Sequence, residues 1–217
     1  MLTGFVDYLQ SGGWIIVTIV IAIGIPAFGY VWKSGQPRPR LEFDGFSPDT
    51  RLVKWNESGS VVYKTWHFVR LAFKNNAKNP SGEGSTAKDL AATIAVFDEK
   101  GSRVDDWDGR WANSNEPRSS DEIWTLNRID LSANNQQLIL DIGFRFVGER
   151  EFSGWSNMHL VQHRPIRLIP PGLKKLKVTL AGSNIKKLTY WFSLNIPEEP
   201  ESDSCRVQMN PIKYKVN

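Results

Sequence analysis

From Trp14 to Trp32 the chain reads WIIVTIVIAIGIPAFGYVW, with no charged residue, and Lys33 ends the run. As a helix rising about 1.5 Å per residue the run is roughly 28 Å long, close to the ~30 Å hydrocarbon core of a bilayer. Trp14 at one end, and Tyr30 and Trp32 at the other, stand where amphipathic rings favour the headgroup level. Gly24, Pro26 and Gly29 weaken a helix in water. Lipid tolerates them, because a membrane-buried backbone has no better way to satisfy its polar groups. A buried helix in a soluble core is the competing reading, and it needs a helical neighbourhood that the strand-like remainder does not offer. A cleaved leader fits less well, since residues 1–13 hold no Lys or Arg and Ala-Phe-Gly after Pro26 is a poor cleavage site. The expectation is one transmembrane helix over 14–32 behind a short N-terminal segment, 1–13.

Charge sets the direction. Lys33, Arg38 and Arg40 follow the span directly, and basic flanks are retained in the cytoplasm. The N-terminus is therefore expected outside and the C-terminal domain inside. A single cysteine, Cys205, suits a reducing compartment. Asn56-Glu57-Ser58 matches a glycosylation acceptor, a pattern common by chance, and argues the other way. Trp14, Tyr30, Trp32, Lys33, Arg38 and Arg40 form the expected membrane anchor, with the lipid bilayer as first partner. Gly24 and Gly29 offer the span a surface for self-association.

Residues 33–40 (KSGQPRPR) read as a short, basic, extended tether. Beyond it, apolar residues recur with period two. Leu138, Leu140, Ile142, Phe144 and Phe146 are expected on one strand face, with Asp141, Gly143 and Arg145 on the other. Leu188, Tyr190, Phe192, Leu194 and Ile196 repeat the pattern, as do Leu176, Val178 and Leu180. Val69, Leu71 and Phe73, and then Leu90, Ala92, Ile94 and Val96, mark two more strands. Leu41 to Phe46 and Ile123 to Arg128 are weaker strand candidates. Polar turn signals separate these runs, among them Asn75-Asn76, Pro170-Pro171-Gly172 and Gly182-Ser183-Asn184. About seven short strands with polar turns predict a mainly β fold, an antiparallel sandwich over 41–197 followed by a C-terminal tail, 198–217. Nine Trp and eleven Phe supply ample core.

The layout also resembles a known group. A strand Val69–Phe73 runs into Lys74-Asn75-Asn76, and Ala87-Lys88-Asp89-Leu90 opens another strand. Gly109-Arg110-Trp111 then sits in a loop, and Pro170-Pro171-Gly172 precedes a last strand. Over about residues 41 to 196 this is similar to immunoglobulin-like sandwich domains of prokaryotic membrane-anchored proteins. The resemblance implies a binding or scaffolding domain and carries over no catalytic residue. The paired cysteines of antibody-type sandwiches are absent.

Residues 105–121 (DDWDGRWANSNEPRSSD) read as a long loop, and such loops carry function on sandwiches. Asp106, Trp107, Asp108, Arg110 and Trp111 are the candidate partner- or ligand-binding residues. Trp107, Trp111, Trp124 and Trp155 are either exposed binding aromatics or plugs of the core, and core is the simpler reading. No metal site is expected. His159 and His163 lack the helix and the neighbouring Glu of a zinc motif, and the acids around Asp105 miss the calcium-loop spacing. His67 reads as a core or cross-strand residue.

Nothing marks an enzyme or a cofactor. Cys205 has only Arg206 as a cationic neighbour, no serine stands in a G-x-S-x-G elbow, and no glycine loop is built for phosphates. From Arg164 to Lys187 seven bases occur without an acid. Its lysines alternate with apolar positions, the pattern of solvated strand faces, so nucleic acid is not expected as a partner. The favoured reading is a membrane-anchored interaction module that binds a protein partner at the membrane surface. The alternative is a membrane-anchored sensor or effector taking a small ligand, lipid headgroup or glycan through the 105–121 loop.

Overall fold

The computed structural model describes residues 38–47, 49–57, 59–77, 85–115, 119–134, 136–158, 168–198 and 208–212, all in the second of the chain's two units, Arg38–Asn217. The expected span over 14–32 and the tether up to residue 37 lie outside the described residues, as do His159, His163 and Cys205. Among the described residues no helix is long and apolar enough to cross a membrane.

The described part is mainly β. In chain order the strands are β1 (Leu41–Phe46), β2 (Asp49–Glu57), β3 (Ser60–Asn75), β4 (Ala87–Phe97), β5 (Arg103–Asp108), β6 (Arg110–Trp111) and β7 (Ile129–Leu131). They continue as β8 (Leu138–Phe146), β9 (Phe152–Gly154), β10 (Leu168–Ile169), β11 (Gly172–Ala181), β12 (Leu188–Ile196) and β13 (Gln208–Ile212). A short helix, α1 (Ser120–Leu126), lies between β6 and β7. One antiparallel sheet has the order β1-β3-β8-β9-β10, with β2 also on β3 and β6 on β8. The other has the order β13-β12-β11-β4-β5, with β7 on β4.

The period-two rows read from the sequence meet between these sheets. Val69, Leu71 and Phe73 from β3 join Leu90, Ala92, Ile94 and Val96 from β4 in one buried cluster. Leu176, Val178 and Leu180 from β11 and Phe192, Leu194 and Ile196 from β12 complete it. This is the packing of a β-sandwich, two apolar sheet faces closed on each other. Asn75 fastens the place where the chain enters. Its Oδ1 accepts from the Arg40 N–H at 2.9 Å, and its Nδ2 donates to the carbonyls of Ser85 at 2.6 Å and Leu131 at 2.9 Å.

Three expectations change. First, the β8 row does not stay on one face. Val69 pairs with Gly143 but Arg70 pairs with Asp141, so a bulge at Ile142 shifts the phase of the strand. Leu138, Leu140 and Ile142 belong to the inter-sheet core, whereas Phe144 and Phe146 join Trp66, Phe68 and Trp155 in a separate aromatic cluster. Its closest pair is Trp66 stacked on Phe144, with ring centroids 4.2 Å apart. Second, Ile123–Arg128 is not a strand: α1 covers Ser120–Leu126. Ser119, with φ −142 and ψ 163, leads the chain into the helix, and Asp121 and Glu122 lie in the first turn where the helix dipole favours acids. Third, 105–121 is not one long loop: the end of β5, all of β6 and the start of α1 fall within it.

Candidate interaction site

The residues singled out at 105–111 form a stitch between the sheets. β5 pairs with β4 in one sheet, and β6 two residues later pairs with β8 in the other. Gly109 sits at the crossing. Its N–H donates to the Ala92 carbonyl at 2.8 Å, and a Cβ there would lie 2.7 Å from Leu140 Cδ1 and 3.0 Å from the Ala92 Cβ. Only glycine passes so close without displacing its neighbours.

The flanking side chains follow from that path. Trp107 opposes Ile94 in the register, is buried, and lies over Gly154, where an added Cβ would meet its ring at 3.0 Å. Trp111 is fully buried, and its indole N–H donates to the Leu90 carbonyl at 3.0 Å. Arg110 is buried too, its Nη1 donating to Asp141 Oδ2 at 2.6 Å. Arg70 Nε donates to the other oxygen of Asp141 at 2.6 Å and its Nη1 reaches Asp49 Oδ2 at 2.5 Å. Two guanidinium and two carboxylate groups thus balance in a chain that ties β2, β3, β6 and β8 together.

Asp106 and Asp108 remain on the outer side. Asp106 is exposed and pairs with Arg103 Nη2 at 2.5 Å. Asp108 is half-buried, and burial, with the nearby charge of Asp106 second, raises its pKa above the ordinary carboxylate range. Trp155 is buried in the aromatic cluster, and His67 is a cross-strand residue whose Nδ1 lies 3.0 Å from Thr50 Oγ1. Arg38 and Arg40 are exposed, with Arg40 Nε 2.9 Å from Glu42 Oε1. On β11, Lys175 and Lys177 alternate with the core residues, and Lys177 Nζ stands 5.5 Å from the centre of the Trp191 ring. Among the described residues no group of His, Cys, Asp and Glu could hold a metal ion.

The accessible apolar surface is elsewhere. β3 is 16 residues long, against 11 for β4, 10 for β11 and 9 for β12. Its inward row reaches the inter-sheet core at Val69, Leu71 and Phe73 but continues past it through His67, Thr65, Tyr63 and Val61. There β2 is its neighbour, with Leu52 opposite Thr65 and Lys54 opposite Tyr63. Leu52 is 69%, Tyr63 65% and Val61 53% exposed. Val147, 43% exposed, lies at the base, its N–H donating to the Thr65 carbonyl at 2.9 Å. The β2–β3 hairpin is thus a ledge, a stretch of core-facing sheet outside the inter-sheet cluster, where exposed Leu52, Val61 and Tyr63 share a face with the register positions of Lys54, Thr65 and His67.

The sequence carried a signal for this hairpin. Leu52-Val53 and Val61-Val62-Tyr63 flank Ser58-Gly59, a turn dipeptide between two β-favouring runs. An open cleft of about 570 Å³ is lined by Asp89, Thr125, Arg128, Ile129 and Asp130, of which only Ile129 is even half-buried. It gives a small ligand little apolar enclosure. No family model matches this chain, and no curated protein matches it.

Proposed function

We propose that this chain is a membrane-anchored interaction module: an immunoglobulin-like β-sandwich, held by one N-terminal helix over 14–32, that binds a protein partner. The observation that carries the binding is the ledge. Leu52, Val61, Tyr63 and Val147 are large apolar side chains exposed around one end of the sheet, and groups of exposed apolar residues mark contact surfaces. The immunoglobulin-like reading draws on the two antiparallel sheets closed over one core. Presentation also supports it. Leu41 pairs with Asn75 at one end of β3, and Glu57 pairs with Ser60 at the other. At ~3.3 Å per residue those ends are roughly 50 Å apart, so the ledge lies at the end of β3 opposite Leu41.

The test is site-specific photo-crosslinking in membranes carrying the full chain. A photoreactive phenylalanine at position 63 should give a discrete protein adduct, and the same group at position 179, on the outer face of β11, should give none. No adduct at 63, or equal adducts at both, would overturn the ledge as the contact surface.

A further inference from the structure

We infer that the end of the sandwich at which the chain enters is a docking surface for anionic lipid headgroups, formed by the β11–β12 turn together with Arg38 and Arg40. This rests on the membrane-anchored reading and adds a second contact to the same domain. The basic run read in the sequence from Arg164 to Lys187 divides in the structure. Lys175 and Lys177 lie within β11, Lys177 beside the Trp191 ring, whereas Lys186 and Lys187 stand exposed in the connection 182–187. Hydrogen bonds tie that connection to the chain entry. Asn184 Oδ1 accepts from the Lys88 N–H at 2.9 Å and its Nδ2 donates to the Thr86 carbonyl at 2.8 Å, while the Ser183 N–H donates to the Lys88 carbonyl at 3.0 Å. The carbonyl of Ser85, next in the chain, accepts from Asn75, the residue that also holds the Arg40 N–H.

Charge selects the partner. Among the described connections at this end Arg38, Arg40, Lys186 and Lys187 are charged, and no acid stands with them. In the adjoining elements Glu42, Asp89 and Asp130 are set against Lys88 and Arg128, and Asp44 against Lys74, so this end keeps a surplus of three positive charges. Lys88, Lys186 and Lys187 are exposed and make no ion pair among the described residues. The opposite end has the reverse sign. Its connections 98–102, 147–151 and 197–198 hold Asp98, Glu99, Glu149, Glu151 and Glu198 against Lys100 and Arg150. A domain polarised in this way is drawn to an anionic surface by its basic end. The chain permits the approach: Lys33, at the end of the expected span, and Arg38 are five residues apart, at most about 18 Å of extended backbone. Each base brought close to such a surface strengthens the contact about fivefold.

The experiment uses the full chain in lipid nanodiscs of phosphatidylcholine, with and without phosphatidylserine. In a C205S background, S183C beside the lysines or S102C at the opposite end carries a fluorophore, and a lipid spin-labelled at its headgroup is the quencher. In the anionic discs position 183 should be quenched several-fold more than position 102. That difference should shrink in neutral discs, in ~1 M salt, where the Debye length is about 3 Å, and in K186E/K187E with an unchanged circular dichroism spectrum. Quenching at 183 no greater than at 102, or unmoved by salt and by K186E/K187E, would overturn the inference. A chain that fails to insert in the discs overturns the anchored reading and the inference with it; one that inserts and leaves position 183 no more quenched than 102 overturns the inference alone.

Discussion

Asp141 is the residue on which the interior depends most. It is fully buried, and each of its oxygens is held by a guanidinium, from Arg70 and from Arg110. Removing one member of such a buried set leaves charge without its counter-charge, a loss of about 3–5 kcal/mol. We therefore expect D141N to fold with that deficit in urea denaturation, and replacing Asp49, Arg70, Arg110 and Asp141 together by apolar residues to recover much of it. Asp108 behaves oppositely. Its pKa is raised by burial and by Asp106, so the folded state favours the protonated acid. The associated stability is present below the unfolded pKa, ~3.9, and is lost as pH rises through the folded value. D108N should accordingly raise the melting temperature at pH 7 and leave it nearly unchanged at about pH 3. A gain equal at both pH values would show that the charge is not its source. The sequence reads Asp141 as an outward strand position and Asp108 as a candidate binding residue in a loop, because alternation and loop composition do not show which acid is buried against a guanidinium.

At the scale of elements, β8 decides how the sheets join. Gly143 stands where a Cβ would overlap the Ser153 carbonyl and the Phe152 ring, so β9 can pair with β8 only if that position has no side chain. G143A is expected to cost about 1–3 kcal/mol or more, the range for forcing extra volume into a packed site. G109A should cost less, because its nearest obstacle is the movable end of Leu140. Equilibrium unfolding of the two variants checks the order. The strands were legible wherever one face stayed buried along the whole run, as in β4, β11 and β12, because period two then reports the core directly. It failed in β8, where the Ile142 bulge lets an unbroken apolar alternation serve two separate clusters. It failed also at 105–111, where acids interleave with tryptophans and a sheet-crossing strand looks like a polar loop. The ledge was missed for a related reason: Val61, Val62 and Tyr63 are apolar on consecutive positions and show no alternation to read.

For the whole molecule the open question is which side of the membrane the sandwich faces, and charge and geometry bear on it together. The residues that join the domain to the expected span, Arg38 and Arg40, are exposed, and Asn75 clasps the Arg40 backbone between β3 and β7. The basic flank is thus firmly attached to the folded domain at the end of β3 opposite the ledge. Moving the domain outward would require those bases, with Lys33, to follow the span across the bilayer, against the retention of positive flanks in the cytoplasm. The expectation is that a reporter fused after Asn217 and active only in the cytoplasm will be active. A membrane-impermeant maleimide should label Cys205 only after the membrane is opened. Labelling of Cys205 in intact cells, with a silent reporter, would overturn the orientation argued from Lys33, Arg38 and Arg40. It would also change where the ledge must find its partner: that partner would be an exported protein, meeting a hairpin whose end lies roughly 50 Å along β3 from Leu41.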